Sequence, residues 1–213
     1  MTTSDEHHSS LPYHGSCHCG FIRYITFIPM PPAVAPDGAE GARLRFYKCS
    51  CTTCHKMGLF HMRLPDAPNQ FFLLSPLDRN TLANYKCPNG YINWFFCPTC
   101  GVRCFATVPH WKQDQIDIES ISAAIPSRDG KPDLPGIEES TKTITVWRMD
   151  PETFQEDVTG YLTINALTID QDQPHGNNLD LRQLVDNKLV EYMDWNTKKG
   201  DCRYDYPHDK GTW

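Results

Sequence analysis

The sequence predicts a mainly β fold, and two observations carry that prediction. Apolar, β-branched and aromatic residues fall in short alternating runs, separated by Gly, Pro and Asn. Helical spacing is almost absent before residue 180, where Leu181, Leu184, Val185 and Leu189 form one short apolar stripe. The chain has 213 residues, 39% hydrophobic and 22% charged, which suffices for one domain with a real core.

Taken in order, residues 1–12 read as a disordered leader that includes the solvated His7 and His8. Gly15 to Phe27 reads as a turn and then a strand, and Pro29 to Gly41 as a loop rich in proline and glycine. Further strands are expected at Arg43–Lys48, Leu59–Leu64, Phe71–Leu74, Tyr91–Phe96, Ile116–Ile121, Thr143–Trp147 and Tyr161–Leu167. A short helix near Leu181 follows, and then an irregular polar and aromatic tail. The expected division is therefore a domain over 13–165 and a C-terminal extension over 166–213. The extension holds Leu184, Tyr192, Trp195, Tyr204 and Trp213, too apolar for a free linker, so it is expected to pack on the core. The alternative is a tail that docks on a second subunit in a homodimer.

Ten cysteines dominate the chemistry. The N-terminus lacks an apolar signal core, so a cytoplasmic location is expected, where clustered cysteines are metal ligands more often than disulfides. Cys17 and Cys19 form C-x-C, Cys49, Cys51 and Cys54 form C-x-C-x-x-C, and Cys97 and Cys100 form C-x-x-C followed by glycine. Structural zinc takes four thiolates, and catalytic zinc keeps a fourth position open. Two zinc ions are thus expected, a structural one on Cys17, Cys19, Cys97 and Cys100, and a catalytic one on Cys49, Cys51 and Cys54. Other readings remain: disulfides, one zinc with spare cysteines, or two closed sites, the second completed by Cys87, Cys104, a histidine or a partner. Cys104 reads as a buried thiol on a strand face, while Cys87 and Cys202 carry no assigned role.

His55 and His61 are the candidates for proton transfer, with a surface or packing role as the leading alternative for each, and His18 should point away from the metal of its neighbours. Lys56, Arg63 and Arg103 are candidates for facing substrate carboxylates, with surface solvation as the default reading for all three. The net charge of −6 argues against nucleic-acid or anionic-membrane partners, which need a basic footprint.

The segments GSCHCGFIRY, CSCTTCHKMG and FCPTCG, in this order, resemble the glutathione-dependent formaldehyde-activating enzyme family, which also contains centromere protein V. The resemblance covers about residues 13 to 165. It implies two packed β-sheets bearing zinc, as in methionine sulfoxide reductase B, and the same division of the seven cysteines. It also implies a carbon–sulfur lyase that joins glutathione, as co-substrate, to formaldehyde or cleaves that adduct. The competing expectation is a non-catalytic binding module built on zinc. Redox sensing through Cys51 and Cys54 is weaker, because zinc-bound thiolates exchange poorly.

Overall fold

The alternating runs fold into two sheets. The structure is a computed structural model that describes residues 10–32, 43–87, 90–121, 127–128, 131–132, 142–155, 159–174, 176 and 178–211. In chain order the strands are β1 (Leu11–Ser16), β2 (Arg23–Ile28), β3 (Arg45–Cys49), β4 (His61–Arg63), β5 (Phe71–Ser75), β6 (Ala83–Lys86), β7 (Asn93–Phe96), β8 (Arg103–Thr107), β9 (Trp111–Asp117), β10 (Ser127–Arg128), β11 (Lys131–Pro132), β12 (Thr143–Met149), β13 (Leu162–Asn165), β14 (Val190–Asp194) and β15 (Asp201–Arg203). Three short α-helices are α1 (Thr52–Met57), α2 (Ala67–Gln70) and α3 (Leu181–Asp186).

The smaller sheet runs β1-β2-β5-β12-β9 and the larger β15-β14-β3-β4-β13-β8-β7-β6, while among the described residues β10 and β11 pair with each other alone. Within the two sheets β14 and β3 run parallel, and the other neighbours are antiparallel.

Period-two alternation gives each strand a core face. Phe46, Met62, Phe105, Leu162 and Ile164 of the larger sheet join Tyr24, Ile28, Phe71, Leu73 and Met149 of the smaller in one buried cluster. The sheets touch directly, with the Phe71 and Phe105 rings 5.4 Å apart. Each such side chain gains roughly 1.5–3 kcal/mol on burial. A separate cluster of Tyr47, Cys49, Cys54, Leu59, Trp94 and Ala106 is built in part by the larger sheet. Alternation along β3 puts Tyr47 and Cys49 on the face opposite Phe46, away from the main core.

Several expectations need correction. The leader is shorter than 1–12, because Leu11 and Pro12 already belong to β1, and residues 1–9 lie outside the described residues, as do 33–42 of the proline-rich loop. The strand expected at Leu59–Leu64 is cut to His61–Arg63, and Leu59 N instead closes the end of α1 by donating to Cys54 O. Strand β6 gave no readable alternation: it is a largely exposed edge strand, free to be polar. The tail is less irregular than expected, although residues 195–200 and 204–211 belong to no strand or helix. Strand β14 enters the larger sheet beside β3, β15 closes its edge, and Leu184, Val190 and Tyr192 lie in the main core. No helix among the described residues is long and apolar enough to cross a membrane.

Candidate metal centres

Two turns bring the first group together. Cys17 and Cys19 lie in the β1–β2 connection of the smaller sheet, and Cys97 and Cys100 in the β7–β8 connection of the larger. The turns share a backbone pattern. Cys17 N donates to Ile22 O and Cys97 N to Val102 O, each at 3.0 Å, while Gly20 N and Gly101 N donate to the Cys17 and Cys97 carbonyls at 2.9 Å. Both glycines have φ of +75°, a left-handed angle that side chains disfavour. Backbone N–H groups also reach the sulfurs, Ile22 N to Cys17 at 3.2 Å and Cys100 N to Cys97 at 3.4 Å.

The donor set fits a soft divalent cation. A tetrahedron with zinc–sulfur bonds of about 2.3 Å has edges of about 3.8 Å. The Cys17–Cys19 and Cys19–Cys97 sulfurs are 3.6 and 3.5 Å apart, and all four lie within 4.8 Å of one another. Burial pushes the Cys17 thiol up to about 12. At Cys100 burial acts the same way, but N–H groups of Val102 and Cys19 and the adjoining thiols outweigh it and bring the group down to about 6. Cys104 is fully buried next to this group, and burial raises its thiol further.

A cleft of about 320 Å3 adjoins the first group, lined by Cys17 and Cys19 together with His14, Ser16, Arg23 and Asp170 among others. There the Asp170 carboxylate holds His14 Nδ1 at 2.6 Å and accepts from the Ser16 hydroxyl at 2.8 Å.

The second group is Cys49, Cys51 and Cys54, whose sulfurs also lie within 4.8 Å of one another. Cys49 ends β3, Cys51 caps α1 and Cys54 sits in its first turn. The Cys51 sulfur accepts from Cys54 N at 3.4 Å, and the Cys49 sulfur from Cys51 N at 3.4 Å. Hydrogen bonds from Cys49 and Cys54 pull the Cys51 thiol down to about 2, whereas Cys51 pushes Cys49 up to about 11, and Cys49 and Cys51 push Cys54 higher still. Three thiols in contact cannot all ionise unaided, and a divalent cation among them removes that conflict. Cys49 and Cys54 are buried, while Cys51 is partly exposed, so the group reaches solvent through Cys51. Tyr47, Leu59 and Trp94 surround it, with Met57, Cys87, Ile92 and Met193 packed around them.

His61 stands directly behind this group. Its Nε2 is 3.2 Å from the Cys54 sulfur and its Nδ1 is 3.0 Å from the Thr163 hydroxyl. The ring stacks on Tyr47 with centroids 4.4 Å apart, and burial brings its pKa down to about 3. Burial thus disfavours the charged imidazolium, and the tautomer protonated at Nε2 is the one that would donate to Cys54 as a thiolate. His55, by contrast, is exposed on α1, as is Lys56. Arg63 is buried with its guanidinium over the Tyr161 ring, and Arg103 lies over Phe96.

Sequence reasoning missed Ser50 and Asp194. Asp194 is 3% exposed and accepts from Ser50 Oγ, Asn196 N, Thr197 N and Lys198 N at 2.8–3.1 Å, as well as from the Thr197 hydroxyl. The Thr197 hydroxyl and then these backbone donors hold its carboxyl well below the usual range. An Asp followed by polar residues two to four positions on is an Asx-turn signal that could have found it.

No family model matches the chain. A crystal structure of a Rhodobacter sphaeroides protein aligns with it at 19% identity, over 44% of this chain and 72% of that one, with a TM-score of 0.29. A likeness that loose carries no argument about fold or site.

Proposed function

We propose that the protein is a zinc-dependent carbon–sulfur lyase acting on a thiol adduct of an aldehyde or related electrophile, with glutathione as the thiol. The observation that carries this reading is the unequal pair of cysteine groups, one of four sulfurs and one of three. The first has a full ligand set and bridges the two sheets. The second has three protein donors and a partly exposed member, as a site with an exchangeable position requires. The resemblance of the three cysteine motifs to glutathione-dependent formaldehyde-activating enzymes supports the same reaction class.

Zinc bound at the second group supplies a Lewis acid and stabilises a thiolate at neutral pH. Thiol addition to an aldehyde forms one carbon–sulfur bond and moves the thiol proton to the carbonyl oxygen, and cleavage reverses both. Neither direction needs an oxidant. Cys49, Cys51 and Cys54 hold the cation. His61 orients Cys54, since both its ring nitrogens are engaged by Cys54 and Thr163. That leaves the exposed His55, adjacent to Cys54 in the chain, as the group able to pass a proton to solvent. Tyr47, Leu59 and Trp94 limit water behind the cysteines.

One observation favours a second reading, a zinc-built binding module. The cavity lined by His61, Trp94 and Arg103 measures about 10 Å3, room for one water, and none of the three cysteines lines it. Exchange spectroscopy of 13C-labelled formaldehyde with glutathione separates the two. Zinc-loaded protein should speed interconversion of aldehyde and adduct, and Cys54→Ser should abolish the gain. An unaltered rate with two zinc ions bound would favour the module.

A further inference from the structure

Ser50 is the residue between Cys49 and Cys51, where the chain leaves β3 and turns into α1. The three sulfurs converge only if that turn is held. Ser50 is 2% exposed, and its polar atoms are engaged by residues of the C-terminal extension. Its N–H donates to Met193 O at 2.9 Å, and its carbonyl accepts from Asn196 Nδ2. Its hydroxyl donates to Asp194 Oδ1 at 2.9 Å and accepts from Trp195 N at 2.9 Å. Asp194 is in turn fixed by the donors of residues 196–198. The ligand loop in the first third of the chain is therefore clamped by a turn about 145 residues downstream, which lies outside the segment that resembles a family.

We propose that Ser50 and Asp194 are positioning residues of the second metal centre, which is a composite of the first third and the C-terminal end of the chain. The buried hydroxyl–carboxylate pair fixes the Cys49–Cys51 turn, so that Cys49, Cys51 and Cys54 meet a cation without reordering the loop. Loosening the clamp makes the loop pay that ordering cost each time it binds. The first group has no part in this network, so the effect is confined to one centre. The inference rests on metal binding by the second group but not on lyase activity.

The test is zinc release from the full-length protein to an excess of a chromogenic chelator, followed in time, with Cys54→Ser identifying the phase that belongs to the second group. Asp194→Asn and Ser50→Ala should each speed that phase by about ten- to a hundredfold and leave the other phase unchanged. The double variant should be little faster than the faster single variant, because both changes break one network. Should Asp194→Asn fail to fold, Ser50→Ala decides alone. Unchanged release in Ser50→Ala, or equal acceleration of both phases, would overturn the proposal. Wild-type protein holding one zinc would instead refute the metal reading beneath it.

Discussion

At the scale of single residues, the seven clustered cysteines divide by what their loss should do. Cys97 is fully buried and belongs to the turn that meets Cys17 and Cys19 across the two sheets. A structural zinc contributes folding free energy on the order of 10 kcal/mol. Cys97→Ser is therefore expected to prevent stable folding, whereas Cys54→Ser should leave a folded protein with a damaged second centre. Thermal unfolding of the two variants side by side checks this, and equal collapse would contradict it. The cysteine groupings were legible because ligand number and spacing restrict how thiols can share a cation. The role of His61 was not. Chain position marked it as a candidate for proton transfer, but its partner Thr163 is 102 residues away, and only the pairing of β4 with β13 brings them together.

At the scale of elements, β14 does most to separate sequence from structure. Val190 and Tyr192 alternate as a strand should, yet the polar residues that follow hid a run of only five residues. Its partner β3 lies about 145 residues upstream and runs parallel, a pairing that no local pattern announces. The side chains show why it holds. Glu191 is 2% exposed and meets Arg43 at 2.7 Å and Arg45 at 2.5 Å. Glu191 is buried but both arginines are partly exposed, so losing the carboxylate costs their charged hydrogen bonds, about 1.5–3 kcal/mol, rather than a stranded buried charge. Glu191→Ala is expected to lower unfolding free energy by that amount in denaturant titrations. Because β14 also delivers Asp194 to Ser50, the same variant should weaken zinc retention at the second group first. A change under about 0.5 kcal/mol, typical of an ordinary surface site, would show that the pair does not anchor the strand.

At the scale of the whole molecule, the two centres have different mechanical positions. The first joins a turn of the smaller sheet to a turn of the larger, beside the buried Cys104, so it ties the layers together. The second lies apart from the main core, between α1 and a sheet that the C-terminal extension completes. The mainly β class and the helix near Leu181 could be read from periodicity. The eight-stranded sheet could not, since it pairs β3 with β14 across about 145 residues of chain. The central claim is that the seven cysteines hold two metal ions, four sulfurs serving one and three the other. Zinc analysis of anaerobically purified protein, wild type beside Cys54→Ser, tests it most directly. The expected result is two zinc ions per wild-type chain and one per Cys54→Ser chain, while a wild type that reproducibly binds one or fewer with its thiols reduced would contradict the claim.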